Sequence, residues 1–327
     1  MPTMNSSDRL TAVELIKRGG VNADQRRIIE ELSTINEMLL DAAVAEANDG
    51  TVNTLLVRTA NPHGTHVVYN QGVAPSASQT KTIHDVICML EAYSEIDCRL
   101  ADHAVNREEF ISNECVSFIH GMAEDQCEDI IYGDHDQNSA YMDGLAKRRS
   151  TIGDLCLNAG GSSSGHMTSI YLVKWGQQFA KYIYPRGAKG MGVNREERGI
   201  QDVDVFDASG NRTGKMKAIV NHFSAQYGLA IGHERSLVRI ANVDPATITS
   251  DNLAKIIIQA SAKLAPGDGT VSLLCNQDVK TLFDIAALTK NNVIYNAEDP
   301  WGREITKFRD MRIRRCDAIL STESTVS

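Results

Sequence analysis

The chain has 327 residues, 42% of them apolar, and 42 acidic against 33 basic side chains give a net charge of −9. That length suits two domains or one large one with a sizeable core, and the acidic balance excludes tight general binding to nucleic acid, which needs many cationic contacts to phosphate. No run approaches the ~20 apolar residues of a membrane helix, the N-terminus lacks the layout of a signal peptide, and seven scattered cysteines without a C-x-x-C spacing read as reduced thiols of a cytoplasmic product.

The first fifty residues read as helical. Thr11-Ala-Val-Glu14 fits a capping box closed by Gly19-Gly20. A second helix after Asn22 places Ile28, Leu32, Ile35 and Leu39 on one face and stops at Asn48-Asp-Gly50. Then the composition changes. Between Thr51 and Thr80 the one formally charged side chain is Arg58, and the large apolar residues are Val52, Leu55, Leu56, Val57, Val67, Val68, Tyr69 and Val73. Such a stretch is too polar to build its own core and too poor in charge to suit open solvent. It is expected to lie on another surface, and a second copy of the chain is the natural one. Strands are expected at Thr51–Thr59, Thr65–Tyr69 and Thr80–Leu90, with turns at Asn61-Pro-His-Gly64 and Asn70-Gln-Gly72.

Val105–Tyr132 reads as a long helix with Ile111, Cys115, Phe118, Met122 and Ile130 along one stripe, widened by Phe110 and Ile119. After a Gly/Ser loop at Ala159–Gly165 strands dominate: Ser169–Trp175, Phe179–Tyr184, Asp202–Phe206, Met216–Phe223, Tyr227–Ile231 and Leu237–Val243. A helix at Ser250–Leu264, a strand at Val271–Cys275, a helix at Asp278–Leu288 and a strand at Met311–Leu320 complete an α+β pattern. Charge is unevenly spread. Glu91–Asp143 holds fourteen acids against Arg99 and Arg107, whereas Gly144–Ile240 holds fourteen bases against seven acids. Opposite blocks of this kind suit head-to-tail contacts between copies, and equally two solvated faces.

The motifs that could carry chemistry are weak. Gly161-Ser-Ser163-Ser-Gly165 matches a nucleophile elbow, but it leads into a strand where that motif needs a helix. Asp134-His-Asp136-Gln-Asn138 opens like a calcium loop, yet Ser139 and Leu145 stand where glycine and a bidentate glutamate are required. Gly187-Ala-Lys-Gly190-Met-Gly192 has neither Walker nor dinucleotide spacing and reads as a turn. The nine histidines show no ligand spacing, and Lys147-Arg-Arg149 and Arg312-Ile-Arg-Arg315 read as short solvated or salt-bridged clusters. No catalytic constellation, cofactor or metal is expected.

Four phrases in order carry a resemblance. They are Met89-Leu-Glu-Ala-Tyr-Ser-Glu-Ile-Asp97, Ser169-Ile-Tyr-Leu-Val-Lys-Trp-Gly176 with Tyr184-Pro-Arg-Gly187, Val238-Arg-Ile-Ala-Asn-Val243, and Met311-Arg-Ile-Arg-Arg-Cys-Asp-Ala318. With them the chain resembles the Hong Kong 97-type major capsid proteins of tailed bacteriophages, in the short-tailed, epsilon-fifteen-like branch. The resemblance implies an N-terminal arm over 1–50, an extended E-loop over 51–88, a P domain with a spine helix over 89–165, strands shared by the P and A domains over 166–244, and an A domain over 245–327. It implies pentamers and hexamers enclosing double-stranded DNA in a virion assembled in the host cytoplasm, with a cementing or decoration protein, a scaffold and a portal as partners and no membrane. The expected intersubunit contact residues are Leu56, Arg58, Val68 and Tyr69 on the E-loop, and Ile111, Cys115, Phe118 and Met122 form the expected spine-helix face.

Two features depart from many members. No lysine lies between Thr51 and Thr80, so a lysine–asparagine cross-link does not carry over. The Val271–Leu288 module and the Met311–Ala318 strand follow Ser169–Val243 where they usually precede it, which implies a permuted connectivity. The alternatives are an encapsulin-like compartment that holds cargo and, from another class, a serine hydrolase using Ser163.

Overall fold

The computed structural model describes residues 37–162, 165–188, 192–207, 209–289 and 307–327. The expected helices before Glu37 and the candidate Ser163 lie outside them. Along the described chain the strands are β1 (Val44–Glu46), β2 (Val52–Ala60), β3 (Gln79–Asp97), β4 (Cys156–Asn158), β5 (Thr168–Trp175), β6 (Ala180–Tyr184), β7 (Asn194–Phe206), β8 (Arg212–Ile231), β9 (Leu237–Val243), β10 (Thr270–Cys275), β11 (Lys307–Phe308) and β12 (Met311–Arg315). The helices are α1 (Cys98–Asp102), α2 (Arg107–Tyr132), α3 (Leu145–Arg148), α4 (Ser250–Lys263) and α5 (Gln277–Thr289). They form two compact units, one holding residues 89–126 and 192–226, the other 37–88, 127–191 and 227–327.

The larger unit is built around β5. All eight of its residues, TSIYLVKW, are buried, as expected of a near-continuous apolar run covered on both faces. β5 pairs antiparallel with β10 and with β9, and β10 pairs parallel with β12. α4 and α5 cover this sheet, so that Leu253, Ile257, Val279 and Phe283 meet Ile170, Leu172, Val238, Ile240 and Leu273 in one core. The chain's end is fastened below that core. Glu323 accepts from the Tyr132 hydroxyl (2.6 Å) at one carboxylate oxygen, and from Ser169 Oγ (2.5 Å) and Arg239 Nη2 (3.0 Å) at the other. The Val326 amide donates to Asn242 Oδ1 at 2.8 Å.

In the smaller unit α2 packs on the sheet of β7, β8 and the far half of β3. Phe118 stacks on Phe223 with ring centroids 5.5 Å apart, and Phe110, Ile96, Ala101 and Ile219 close one end. β7 and β8 make a hairpin whose register sets Asp202 opposite Lys217 and Asp204 opposite Lys215.

Four expectations are corrected. The helix expected to reach Asn48 has given way by Glu37 to a 3-10 turn, and Val44–Glu46 instead pairs parallel with Tyr182–Tyr184; a sheet partner overrides the helix propensity of an alanine-rich stretch. Thr65–Tyr69 forms no strand. The expected strands Met216–Phe223 and Tyr227–Ile231 are one 20-residue strand, because Ser224, Ala225 and Gln226 are tolerated in a continuous ladder. The last strand ends at Arg315, where Arg315 binds Asp317 and the chain turns.

Candidate assembly surface

Residues 52–86 form a two-stranded antiparallel hairpin, β2 with the first part of β3, with an irregular tip over 61–78. The nine residues of β2 span about 30 Å, and the pairing runs from Val52 opposite Val86 to Ala60 opposite Gln79. At the root, Asn48 clasps the Thr54 backbone through both amide atoms, and Ile87 and Ala47 pack with Ile183, Ala230 and Leu55. Gly228 on β8 permits this approach: a Cβ there would come within 3.0 Å of the Val86 carbonyl oxygen and 2.9 Å of Ile183.

Away from the root the hairpin leaves large apolar side chains uncovered among the described residues. Leu56 is 71% exposed, Val68 72% and Tyr69 100%, and Val67 and Val73 are also exposed. Arg58 is exposed opposite Thr80. The tip is held by sparse contacts: Ser76 Oγ donates to the His63 carbonyl at 3.1 Å, the Gln71 amide to the Val68 carbonyl at 3.2 Å, and the Val68 amide to Gln71 Oε1 at 3.5 Å. Leu56, Arg58, Val68 and Tyr69 therefore all lie on an uncovered surface of the subunit, spread along the hairpin rather than gathered at one point.

The spine-helix residues have a different situation. Cys115 and Met122 are buried, and Ile111 and Phe118 are half-buried against the small unit's sheet. Ile119, expected to widen the stripe, is exposed together with Val116. Asp134 and Asp136, the candidate calcium ligands, both pair with Lys147 at 2.9 and 2.7 Å. The described residues on either side of the Gly/Ser segment lead from β4 (ending at Asn158) into β5 (beginning at Thr168), a strand and not a helix.

Three clusters went unrecognised in the sequence. On the open face of the small unit's sheet, His222 stacks on Tyr93 at 4.5 Å, lies within 3.4 Å of Glu91 and 3.6 Å of Glu196, and Arg198 sits over the Tyr93 ring. Asp41 receives Arg312 and Arg314 and the Ser272 hydroxyl; the Arg314 hydrogen bond is the largest influence holding its carboxyl down at about 2. Asp85 and Arg148 form a buried pair at the hairpin root. The β7–β8 hairpin had left a signal, since Asp202-Val-Asp204-Val and Lys215-Met-Lys217 alternate at strand period with opposite charge. The ion pairs join residues far apart in the chain and had left none.

A family model described as major capsid protein GP7 matches residues 20–327. The chain belongs to the GP7 family of major capsid proteins. Its fold is that of the Hong Kong 97-like phage capsids. The structure of bacteriophage Epsilon15 matches it with a TM-score of 0.76 and 26% identity over 97% of each chain. The bacteriophage JBD30 capsid matches at a TM-score of 0.46 and 9% identity, over 94% of this chain and 99% of that one. The holo-SrpI encapsulin complex of Synechococcus elongatus PCC 7942 matches at 0.42 and 14%, over 72% and 96%; scores this low bear no functional argument. No curated protein matches the sequence. The capsid subunit thus carries on its surface a long, nearly uncharged hairpin with apolar side chains at its tip.

Proposed function

We propose that the subunit assembles with copies of itself into the pentamers and hexamers of an icosahedral shell around double-stranded phage DNA, and that residues 51–88 are the E-loop that braces each copy against its neighbour. The observation that carries this reading is the exposed hairpin: Leu56 on β2 and Val68 and Tyr69 at the tip present apolar side chains to solvent in a stretch, 51–80, whose one formal charge is Arg58, and exposed apolar surface on an assembly protein marks an interface. In the same reading residues 1–50 are the N-terminal arm, 89–165 the P domain with α2 as its spine, 166–244 strands shared between domains, and 245–327 the A domain. The role is architectural and needs no enzyme chemistry.

The net charge of −9 suits a container, because a wall poor in cationic contacts holds DNA weakly and lets it be packed and released. Virion localisation, assembly in the host cytoplasm, and dealings with a scaffold, a portal and a cementing or decoration protein belong to this proposal. Its test is microscopy of the fast-sedimenting fraction of the expressed chain, alone and with a scaffold. Closed shells or tubes are the expected result. Small species alone in both preparations would refute it, and shells that package protein cargo while excluding genome-length DNA would favour a compartment over a capsid.

A further inference from the structure

The root of the hairpin holds an unusual pair. Asn53 on β2 and Asp85 on β3 are directly opposed in the ladder, and each is 2% exposed. Asp85 Oδ1 accepts from Arg148 Nη2 at 2.7 Å, but that guanidinium is shared: Nη2 also donates to the Leu229 carbonyl at 2.9 Å and Nε to the Asp143 carbonyl at 3.0 Å. Asp85 Oδ2 has no hydrogen-bond partner, and neither has Asn53 Nδ2. A buried acceptor without a donor thus lies across the ladder from a buried donor without an acceptor. A buried ion with one oxygen unsatisfied is costly.

The groups facing Asp85 come from each neighbouring element. Arg148 from α3 and the Ile231 amide from β8 favour the charged form, Asp143 opposes it, and Asn53 from β2 is neutral. Burial outweighs them and pushes the Asp85 carboxyl above its ordinary value. The sign of the linkage follows. A carboxyl that binds its proton more readily when buried stabilises the closed root at acidic pH, and that stabilisation is lost as pH rises through the raised value. The Asn53 amide can serve either state, donating to a carboxylate or, turned over, accepting from a carboxylic acid. His84 points to the other face of β3, where it meets Thr54 Oγ1 at 3.2 Å.

We propose that Asp85, Asn53 and Arg148 form a proton-operated clasp, closed when Asp85 is protonated and loosened when it is charged, so that rising pH frees the hairpin at its root. The consequence for assembly rests on the E-loop reading; the clasp itself does not, and it is measured on the free subunit. Hydrogen exchange of the 52–60 and 79–88 segments is compared between the wild type and Asp85→Asn at equal pH, from pH 4 to 8, so that intrinsic exchange chemistry cancels. The wild-type-to-variant rate ratio is expected to climb from about pH 4, by up to about tenfold per pH unit, and to level off once the pH passes the raised value. Asn53→Asp is the second variant. A second carboxyl beside the first makes the two share a proton and moves the transition up by about one pH unit or more. A ratio that stays constant across the range, or an Asn53→Asp profile superimposable on the wild type, overturns the clasp while leaving shell assembly untouched.

Discussion

Val68→Asp separates assembly from folding. Val68 is 72% exposed at the hairpin tip, so the substitution removes almost no contact within the subunit, and the change in subunit stability is expected to stay within about 0.5 kcal/mol. In a shell where that tip is covered, two losses arise at every copy. The apolar surface of the valine no longer leaves water, which forfeits about 1 kcal/mol, and a carboxylate with no partner is desolvated, which costs about 1–3 kcal/mol more. A total near 3 kcal/mol weakens each contact by about a hundredfold. Sucrose-gradient sedimentation reports the assembled fraction, and thermal unfolding of the free subunit reports folding. The expected outcome is an unchanged unfolding temperature with the fast-sedimenting fraction gone. Normal shells from the variant, or a subunit that no longer folds, would refute the reasoning.

Other expectations concern the body of the subunit. Glu323→Ala leaves Arg239 buried without its carboxylate and should destabilise by about 3–5 kcal/mol, read by urea unfolding, with Tyr132 and Ser169 losing their acceptor at the same time. Asp41 is held at about 2, below its usual 3.8, so it contributes stability above pH 4 that is lost as pH falls through 2; Asp41→Asn should cost at most about 2 kcal/mol at neutral pH and nothing in strong acid. Six of the seven cysteines are buried and Cys98 is half-buried, and burial pushes the Cys88 and Cys316 thiols up to about 12. Native-state alkylation at pH 8 should therefore stop near one equivalent, at Cys98, and mass spectrometry should find the rest modified only after unfolding.

What was legible in the sequence was whatever a local period writes. The 26-residue α2 and the fully buried β5 follow from residue spacing alone, and their ends were found within a residue or two. The exposed hairpin followed from missing charge, which is a statement about environment. Its tip departs from expectation because Thr65-His-Val-Val-Tyr69 has strand composition, but a strand also needs a partner, and Thr65–Tyr69 has none among the described residues. β1 failed in the opposite direction, since Val44-Ala-Glu46 acquires a strand's geometry from Tyr182–Tyr184, far along the chain. Asp85–Arg148 and Arg239–Glu323 were invisible for the same reason, each joining residues more than sixty positions apart.

The two hairpins of the subunit show how one chain assigns different fates to similar elements. β2 and β7 each have one paired neighbour among the described residues, β3 and β8 respectively, so each offers a free edge. The edge of β7 carries Arg195, Glu196, Glu197, Arg198, Asp202 and Asp204; a second strand approaching it would have to desolvate those charges, which keeps such an edge single. The edge of β2 carries Arg58 alone within nine residues, with Leu56 turned to solvent. An unguarded edge of that kind is an aggregation hazard in a protein meant to stay alone. Under the proposed bracing role the same chemistry would direct association, because contact would be cheap at β2 and expensive at β7. Moving a guard should therefore move the contact. Leu56→Glu with Thr59→Lys on β2, both exposed positions, puts charge on the permissive edge without touching the hairpin root, and it should block assembly as Val68→Asp does. Equal numbers of charges neutralised on β7 should instead produce irregular aggregates in place of shells, distinguishable by electron microscopy. If neither change alters the particles, edge charge is not what directs the association of these subunits.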